Sequence, residues 1–358
     1  ALCTDNLPDP AVDPNKGETP QDHFNTVLYT GTGASTLSIT GVGFQPDWVW
    51  AKKRSANDHH ALSDVIRGVT KTLSTSQSAA ETTDANGLQS FDADGFTVGS
   101  GSGSGVWGGN SGATYVAWNW KAGGTAVSND DGDVTSSVSA NAAAGFSIVT
   151  YTATGSGDIT VGHGLGVAPE LIFGKVRNQA YGWTNFALPA GSDAVVGFGT
   201  NAPASGSGNV AYGKTAPTSS VFTAGRGSTD NMNYGSGDTV VAYCFASIEG
   251  YSKIGKYTGN GSADGTYVYT GFKPAFVLIK KITTTGAWPM FDNKRDVDNE
   301  VEHILFANVY DDELSPYDRM DFVSNGFKLR DTGSGVNNSA SFFYLAIAEQ
   351  PFKYANAR

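Results

Sequence analysis

The sequence predicts a mainly β protein of three tandem β-sandwich repeats, jelly-roll or lectin-like, with short helical insertions. Three observations carry this. First, one phrase recurs, loosely at the start of its second copy: a turn residue, an aromatic and a proline lead into an apolar β-type run that ends on lysine. It reads Gly43-Phe-Gln-Pro-Asp-Trp-Val-Trp-Ala-Lys52, then Leu165-Gly-Val-Ala-Pro-Glu-Leu-Ile-Phe-Gly-Lys175, then Gly271-Phe-Lys-Pro-Ala-Phe-Val-Leu-Ile-Lys280. Second, the flanking phrases recur in the same order. Each copy opens on a β-rich run (Phe24 to Gly31, Phe146 to Ala153, Tyr251 to Gly259). Each carries a late turn and strand (Asp94 to Val98, Ser220 to Ala224, Asn325 to Leu329), and each closes on an apolar strand (Tyr115 to Trp120, Val240 to Phe245, Phe343 to Ala348). Third, Pro169 lies 123 residues after Pro46, and Pro274 a further 105 on. That period is too long for a solenoid turn and matches a complete β-sandwich of about 100 residues.

The boundaries follow in order. Residues 1–23 hold Pro8, Pro10, Pro14 and Pro20 and read as an extended arm or linker. The first repeat spans 24–124. Within it, Ser63 to Leu73 suits a strand or a short helix, and the Asn86-Gly87 and Asp94-Gly95 turn signals bracket a strand over Leu88 to Phe91. Gly99 to Gly105 reads as a mobile loop. On the closing strand, alternation places Val116, Trp118 and Trp120 on one face. Residues 125–145, rich in Gly, Ser, Ala and Asp, read as a flexible linker. The second repeat, 146–250, has long Gly/Ser/Asn surface loops over Gly191 to Gly213 and runs without a linker into the third, 251–352. There the charged stretch Asp292 to Asp321 is the best place for a short helix. Residues 353–358 form a tail.

Composition narrows the function. Charged residues make up 16% of the 358 residues, aromatics 11%, and 46 are Gly. This suits short strands and tight turns rather than disorder. A net charge of −11 without a Lys/Arg run argues against nucleic acid as a partner. No apolar run nears the roughly 20 residues of a membrane-spanning helix. The start at Ala1, without Met or a signal pattern, suggests a processed or excised chain. Cys3 and Cys244 make no disulfide framework, and Cys244 reads as a buried thiol in a strand.

The chemical motifs are weak. Gly208-Asn-Val-Ala-Tyr-Gly-Lys-Thr215 spells a phosphate loop, but Pro217 and two serines follow where that chemistry needs a helix. His59 and His60, near Asp58 and Asp64, read as loop rather than metal ligands. Asp92 to Gly95 and Asn129 to Asp133 look like fragments of calcium loops, yet neither has the closing Glu and both suit turns. No carboxylate recurs in all three copies: Asp47 and Glu170 correspond to Ala275. Paired acids for a glycan hydrolase are therefore not part of the shared pattern. No catalytic residue, metal or cofactor is expected. Trp107, in a Gly-rich loop, and Trp183 and Trp288, each eight residues after the phrase-ending lysine, are the candidates for stacking on a sugar ring; for the latter two a shared core role is favoured.

The phrase ending at Lys52, followed by Asp64-Val-Ile-Arg-Gly68 and Glu81 to Phe96, resembles repeat domains of tailed-bacteriophage virion proteins, in tail fibres or appendages. Ala1 to Pro8 resembles the segment after a SPRY-type, concanavalin-like domain in such proteins. The resemblance covers most of the chain and is looser in the second copy. It implies a non-enzymatic virion structural protein on the particle surface, with other virion proteins and host cell-surface polysaccharide as partners, a homotrimeric state, and no membrane insertion. A capsid or tail decoration protein, a glycan depolymerase and a secreted bacterial adhesin are the alternatives. Three copies in one chain would mimic a three-fold assembly if they sit around an axis rather than in a line.

Overall fold

The computed structural model describes residues 7, 9–99, 106–192, 194–199, 201, 211–227, 231–316, 319–333 and 335–355. They form antiparallel sheets joined by turns, and helix among them is confined to single 3-10 turns at Pro14–Lys16, Pro20–Asp22 and Leu188–Ala190.

The N-terminal segment contains β1 (Phe24–Thr30), β2 (Thr36–Thr40), β3 (Trp48–Lys53), β4 (Ala61–Asp64), β5 (Lys71–Thr72), β6 (Thr82–Thr83), β7 (Leu88–Asp92), β8 (Gly95–Gly99) and β9 (Thr114–Trp120). The middle segment contains β10 (Val127–Asn129), β11 (Ser136–Asn141), β12 (Phe146–Thr152), β13 (Ile159–Gly162), β14 (Leu171–Val176), β15 (Thr184–Ala187), β16 (Val195–Val196), β17 (Val221–Ala224) and β18 (Thr239–Phe245). The C-terminal segment contains β19 (Ser252–Thr258), β20 (Tyr267–Tyr269), β21 (Phe272–Lys281), β22 (Pro289–Asp292), β23 (Leu305–Phe306), β24 (Met320–Val323), β25 (Gly326–Leu329) and β26 (Ser341–Pro351).

Each segment has one larger and one smaller sheet, and the N-terminal segment adds the two-stranded pair β5-β6. The larger sheets run β1-β9-β3-β4, β10-β11-β12-β18-β14-β15-β16 and β19-β26-β21-β22-β23; the smaller ones are β2-β8-β7, β13-β17 and β20-β25-β24. Registers correspond: Trp48 pairs with Trp120, Leu171 with Phe245 and Phe276 with Ile347. The smaller sheets begin at a close turn. A Cβ on Gly95 or Gly326 would lie 2.0 Å from the carbonyl oxygen of Ile39 or Val268, which only glycine avoids.

The two faces of each larger sheet do different work, as the period-2 alternation of a strand requires. One face packs on its own smaller sheet: Val49, Ala51 and Ala117 meet Ile39, Leu88, Phe96 and Val98. The middle and C-terminal segments have similar clusters. The opposite faces of all three larger sheets meet in one further cluster, with Trp48, Trp50, Trp118 and Trp120 against Phe146, Phe173, Tyr243 and Phe245 and against Phe276, Leu278, Trp288 and Phe343. Rings touch across every pair of segments: Trp48 and Tyr243 at 4.4 Å, Phe24 and Phe276 at 5.6 Å, Phe173 and Trp288 at 6.3 Å between centroids.

Several expectations are corrected. Residues 125–145 are no flexible linker: β10 and β11 lie there and extend the middle sheet over the flank of β12. Composition misled because the small residues still supply backbone hydrogen bonds, and Val138 is buried against the middle segment's own core. The charged stretch after Asp292 forms β23, turns and short bridges instead of a helix. Its Asp side chains hold turns, as Asp296 does by accepting from the backbone N–H of Glu302 at 2.9 Å and His303 at 2.8 Å. Ser63 to Leu73 is strand, turn and strand. The described part of the arm is fastened to the C-terminal segment: Val12 is buried in the common cluster, and Lys353 Nζ lies 2.8 Å from Asp9. Residues 100–105 of the expected mobile loop, 202–210 within the expected middle loops, and 356–358 of the tail lie outside the described residues.

Candidate functional site: the three-way junction and a surface groove

The lysines that end the recurring phrase are all buried, at matching places beside Val116, Val241 and Phe343. A buried ammonium needs full hydrogen bonding. Lys52 Nζ donates to the carbonyls of Lys53 at 2.8 Å and, in the C-terminal segment, Tyr310 at 3.4 Å. Lys175 reaches Ser78 of the N-terminal segment at 3.3 Å as well as Gln179 and Tyr181. Lys280 donates to Gly286 at 2.6 Å. Burial pulls Lys52 down to about 8, against the opposing charge of Asp58, and pulls Lys280 down to about 8 with help from Lys281.

Eight residues beyond each lysine stands an aromatic side chain that crosses to the preceding segment. Trp183 Nε1 donates to Ser74 at 2.7 Å, Trp288 Nε1 to Gly199 at 3.2 Å, and His60 Nε2 contacts the Phe306 carbonyl at 2.9 Å. Trp50 Nε1 donates to His60 Nδ1 at 2.8 Å, so the His60 proton sits on Nε2 and points at Phe306. Burial, with the nearby Lys52 charge, pulls His60 down to about 3. It is a neutral strut, a buried rather than solvated residue of the loop that leads into β4.

Two of the three junctions carry the same ionic clamp. Asp64 and Arg67, both wholly buried, pair through Arg67 Nε. Arg67 also donates to Glu81 at 2.9 Å, the Leu62 carbonyl at 2.8 Å and the Tyr243 hydroxyl at 3.1 Å. Tyr243, from the middle segment, donates to Asp64 at 2.7 Å, and Arg177 of that segment grips Glu81 at 2.9 and 3.0 Å. The second clamp repeats this between the C-terminal and N-terminal segments. Arg295 pairs with Asp292 at 2.6 Å and Glu313 at 3.1 Å, Trp118 Nε1 donates to Asp292 at 3.1 Å, and Arg54 holds Glu313 at 2.7 to 3.1 Å. Even the backbone bonds match: Glu81 N–H to Arg177 and Glu313 N–H to Arg54. Burial pushes both glutamates up, but the bonds and charges of their two arginines outweigh it and hold them below the usual carboxylate range. At the junction of middle and C-terminal segments the corresponding residues are Ala187, Ala190, Leu345 and Ile282, all within or against the common apolar cluster.

The sequence's candidates fall elsewhere. Trp107, Trp183 and Trp288 are 0%, 5% and 0% exposed, so none offers a ring face to a sugar. Trp107 is packed under the smaller N-terminal sheet. Among the described residues no three His, Cys, Asp or Glu side chains cluster as metal ligands. Asp94 accepts from the N–H groups of Gly41 and Gly43, and Asp133 from Thr160, which accounts for the calcium-like fragments as turn caps. Asp47 and Glu170 cap Ala122 and Ser247 at matching chain exits. In the phosphate-loop match, residues 208–210 lie outside the described set, and no helix follows Lys214. Cys244 is buried and its thiol is pushed up by burial, while Cys3 is outside the described residues.

Sequence reasoning passed over the exposed tyrosines of β20. Tyr267 and Tyr269 are 45% and 54% exposed on one face of an edge strand. Tyr269 borders a groove of about 430 Å³ with Pro10, Ser247, Glu249, Lys253 and Lys353. Lys253 Nζ sits 5.4 Å from the Tyr269 ring centroid.

A model of a family described as a domain of unknown function (DUF7483) matches residues 19–351, a single span across all three segments. No curated protein and no solved structure matches the chain.

Proposed function

The chain belongs to the DUF7483 family, and we propose that it is a non-enzymatic structural module of a tailed-phage virion, built as three β-sandwich repeats around one axis and contributing to attachment at host-surface glycans. The observation that carries this reading is the cluster shared by the three larger sheets. Independent beads on a chain have no need of a common core. A load-carrying appendage does, because a large apolar interface suppresses the relative domain motion that is otherwise the default. The repeats thereby take the place of three chains in a trimeric spike. The phage assignment rests on the phrases around Lys52, Asp64 and Glu81.

Purely structural decoration of capsid or tail is the second reading, favoured by the burial of all seven tryptophans. Mass spectrometry of gradient-purified particles tests both. Stoichiometric presence of the chain in particles supports the virion role. Its absence from particles together with abundance in the medium would overturn it in favour of a secreted adhesin or depolymerase. Binding of the purified chain to host polysaccharide then separates attachment from decoration.

A further inference from the structure

Quasi-equivalence makes the tyrosines of β20 conspicuous. Gly95 pairs with Thr40, and Gly326 with Tyr269, so the two strands stand in the same register. At the places of Tyr267 and Tyr269 the N-terminal segment has Ser38 and Thr40; across Val221 and Thr223 the middle segment has Gly162 and Thr160. Where the scaffold tolerates hydroxyls and glycine, the C-terminal segment alone exposes two aromatic rings. Packing does not ask for them. Val268 between them is the residue that enters the core.

We infer that the groove beside Tyr269 is a saccharide-binding site that takes a neutral pyranose unit of a surface polysaccharide. This rests on the attachment reading above and gives it a location. A pyranose has an apolar C–H face and a rim of vicinal hydroxyls, which ask for an aromatic wall and for both donors and acceptors. Tyr269 supplies the wall. Lys253, with no described carboxylate within salt-bridge distance, supplies a donor. Glu249 is exposed at the rim and supplies acceptors. A volume of about 430 Å³ lies within the roughly 300–1,000 Å³ of small-ligand sites. The Glu249 carboxylate and the chain's net charge of −11 favour a neutral over an acidic sugar.

The test is titration of the full chain by saturation-transfer NMR and calorimetry with neutral gluco-, galacto- and manno-trisaccharides and with trigalacturonate. Binding of a neutral trisaccharide is expected, weakened about tenfold by Tyr269→Ala, largely retained in Tyr269→Trp, and weakened by Lys253→Met, with the melting of the Tyr269 variants unchanged because that side chain lies at the surface. Neutral-sugar binding indifferent to Tyr269→Ala overturns the groove and leaves attachment standing elsewhere on the chain. Binding of trigalacturonate alone overturns the neutral assignment. If no saccharide binds and the host's intact polysaccharide also fails, the attachment reading falls with the groove; if the intact polysaccharide binds the wild type and Tyr269→Ala equally, only the groove does.

Discussion

Arg67→Ala separates two accounts of the junctions. Arg67 is fully buried and joins Asp64, Glu81, the Leu62 carbonyl and Tyr243. Its removal leaves Asp64 buried with two backbone N–H groups and one hydroxyl but no cation. Breaking a buried pair from one side costs about 3–5 kcal/mol. Removing the whole polar set is a different perturbation. Asp64→Ala/Arg67→Ala/Tyr243→Phe leaves no buried charge at that point, keeps the Tyr243 ring against Trp48, and leaves Glu81 with Arg177. It approximates the junction the chain already has at Ala187, Ala190 and Leu345. Hence the triple variant should be about 2 kcal/mol more stable than the single one, although it changes more residues. Equilibrium urea unfolding followed by tryptophan fluorescence and by far-UV circular dichroism reads this as a difference in midpoint at constant slope. A single variant that loses less than about 1 kcal/mol, or a triple variant less stable than the single one, would refute the argument that the clamp is held by mutual neutralisation.

Other consequences are measurable. Trp48→Ala, at the centre of the shared cluster, should cost about 3–5 kcal/mol and lower one common calorimetric transition; separate melting of one segment would contradict the shared core. Acid should destabilise the fold in two stages. His60 is depressed to about 3 from 6.5, so its contribution is complete above 6.5 and declines as pH falls toward 3. Glu81 and Glu313, lowered from 4.5, lose theirs below that value; His60→Gln should flatten the first stage in a plot of stability against pH. Lys52 and Lys280, both lowered to about 8 from 10.5, bind fewer protons folded than unfolded between those values, so their contribution to stability should grow from pH 8 toward 10, and the stability difference between the wild type and Lys52→Met/Lys280→Met should widen in favour of the wild type over that range. Iodide should quench native tryptophan emission poorly, since every indole is buried.

What was legible in the sequence is what the three segments share. Strand alternation put Val116, Trp118 and Trp120 on one face, and the recurring proline phrases marked β3, β14 and β21, because cores are written in residue type and period. The common cluster was hidden because both faces of those strands are apolar, and sequence alone does not say which face meets the neighbouring sheet and which the neighbouring segment. The clamps were half visible. Asp64-Val-Ile-Arg67 and Asp292-Asn-Lys-Arg295 carry the same D-x-x-R spacing, but demanding a carboxylate in all three copies discarded a pattern present in two. Tyr267 and Tyr269 were passed over because an alternating Tyr-Val-Tyr reads as an ordinary strand; only the burial of Val268 shows which side faces water.

The departure from symmetry has a physical logic of its own. A lone Asp, Arg or Glu at the third junction would be a buried charge without a partner, so both sides of that junction must change together. They do: Ala187 and Ala190 stand on one side, Leu345 and Ile282 on the other. The result is two ionic junctions and one apolar junction among otherwise similar sheets. If the middle and C-terminal segments exchanged places, Asp64 and Arg67 would face Leu345 and Ile282, and that buried pair would lose the Tyr243 hydroxyl and its outer partner Arg177. The charge pattern thus fixes which segment sits beside which, a selection by exclusion that interchangeable apolar faces could not provide. This makes Leu345→Lys a sharper probe of segment order than any clamp deletion. It should place an unpaired ammonium against Ala187 at a cost of several kcal/mol, and Ala187→Asp in the same chain should restore part of it, whereas Ala61→Asp, on the core face of the N-terminal sheet, should not.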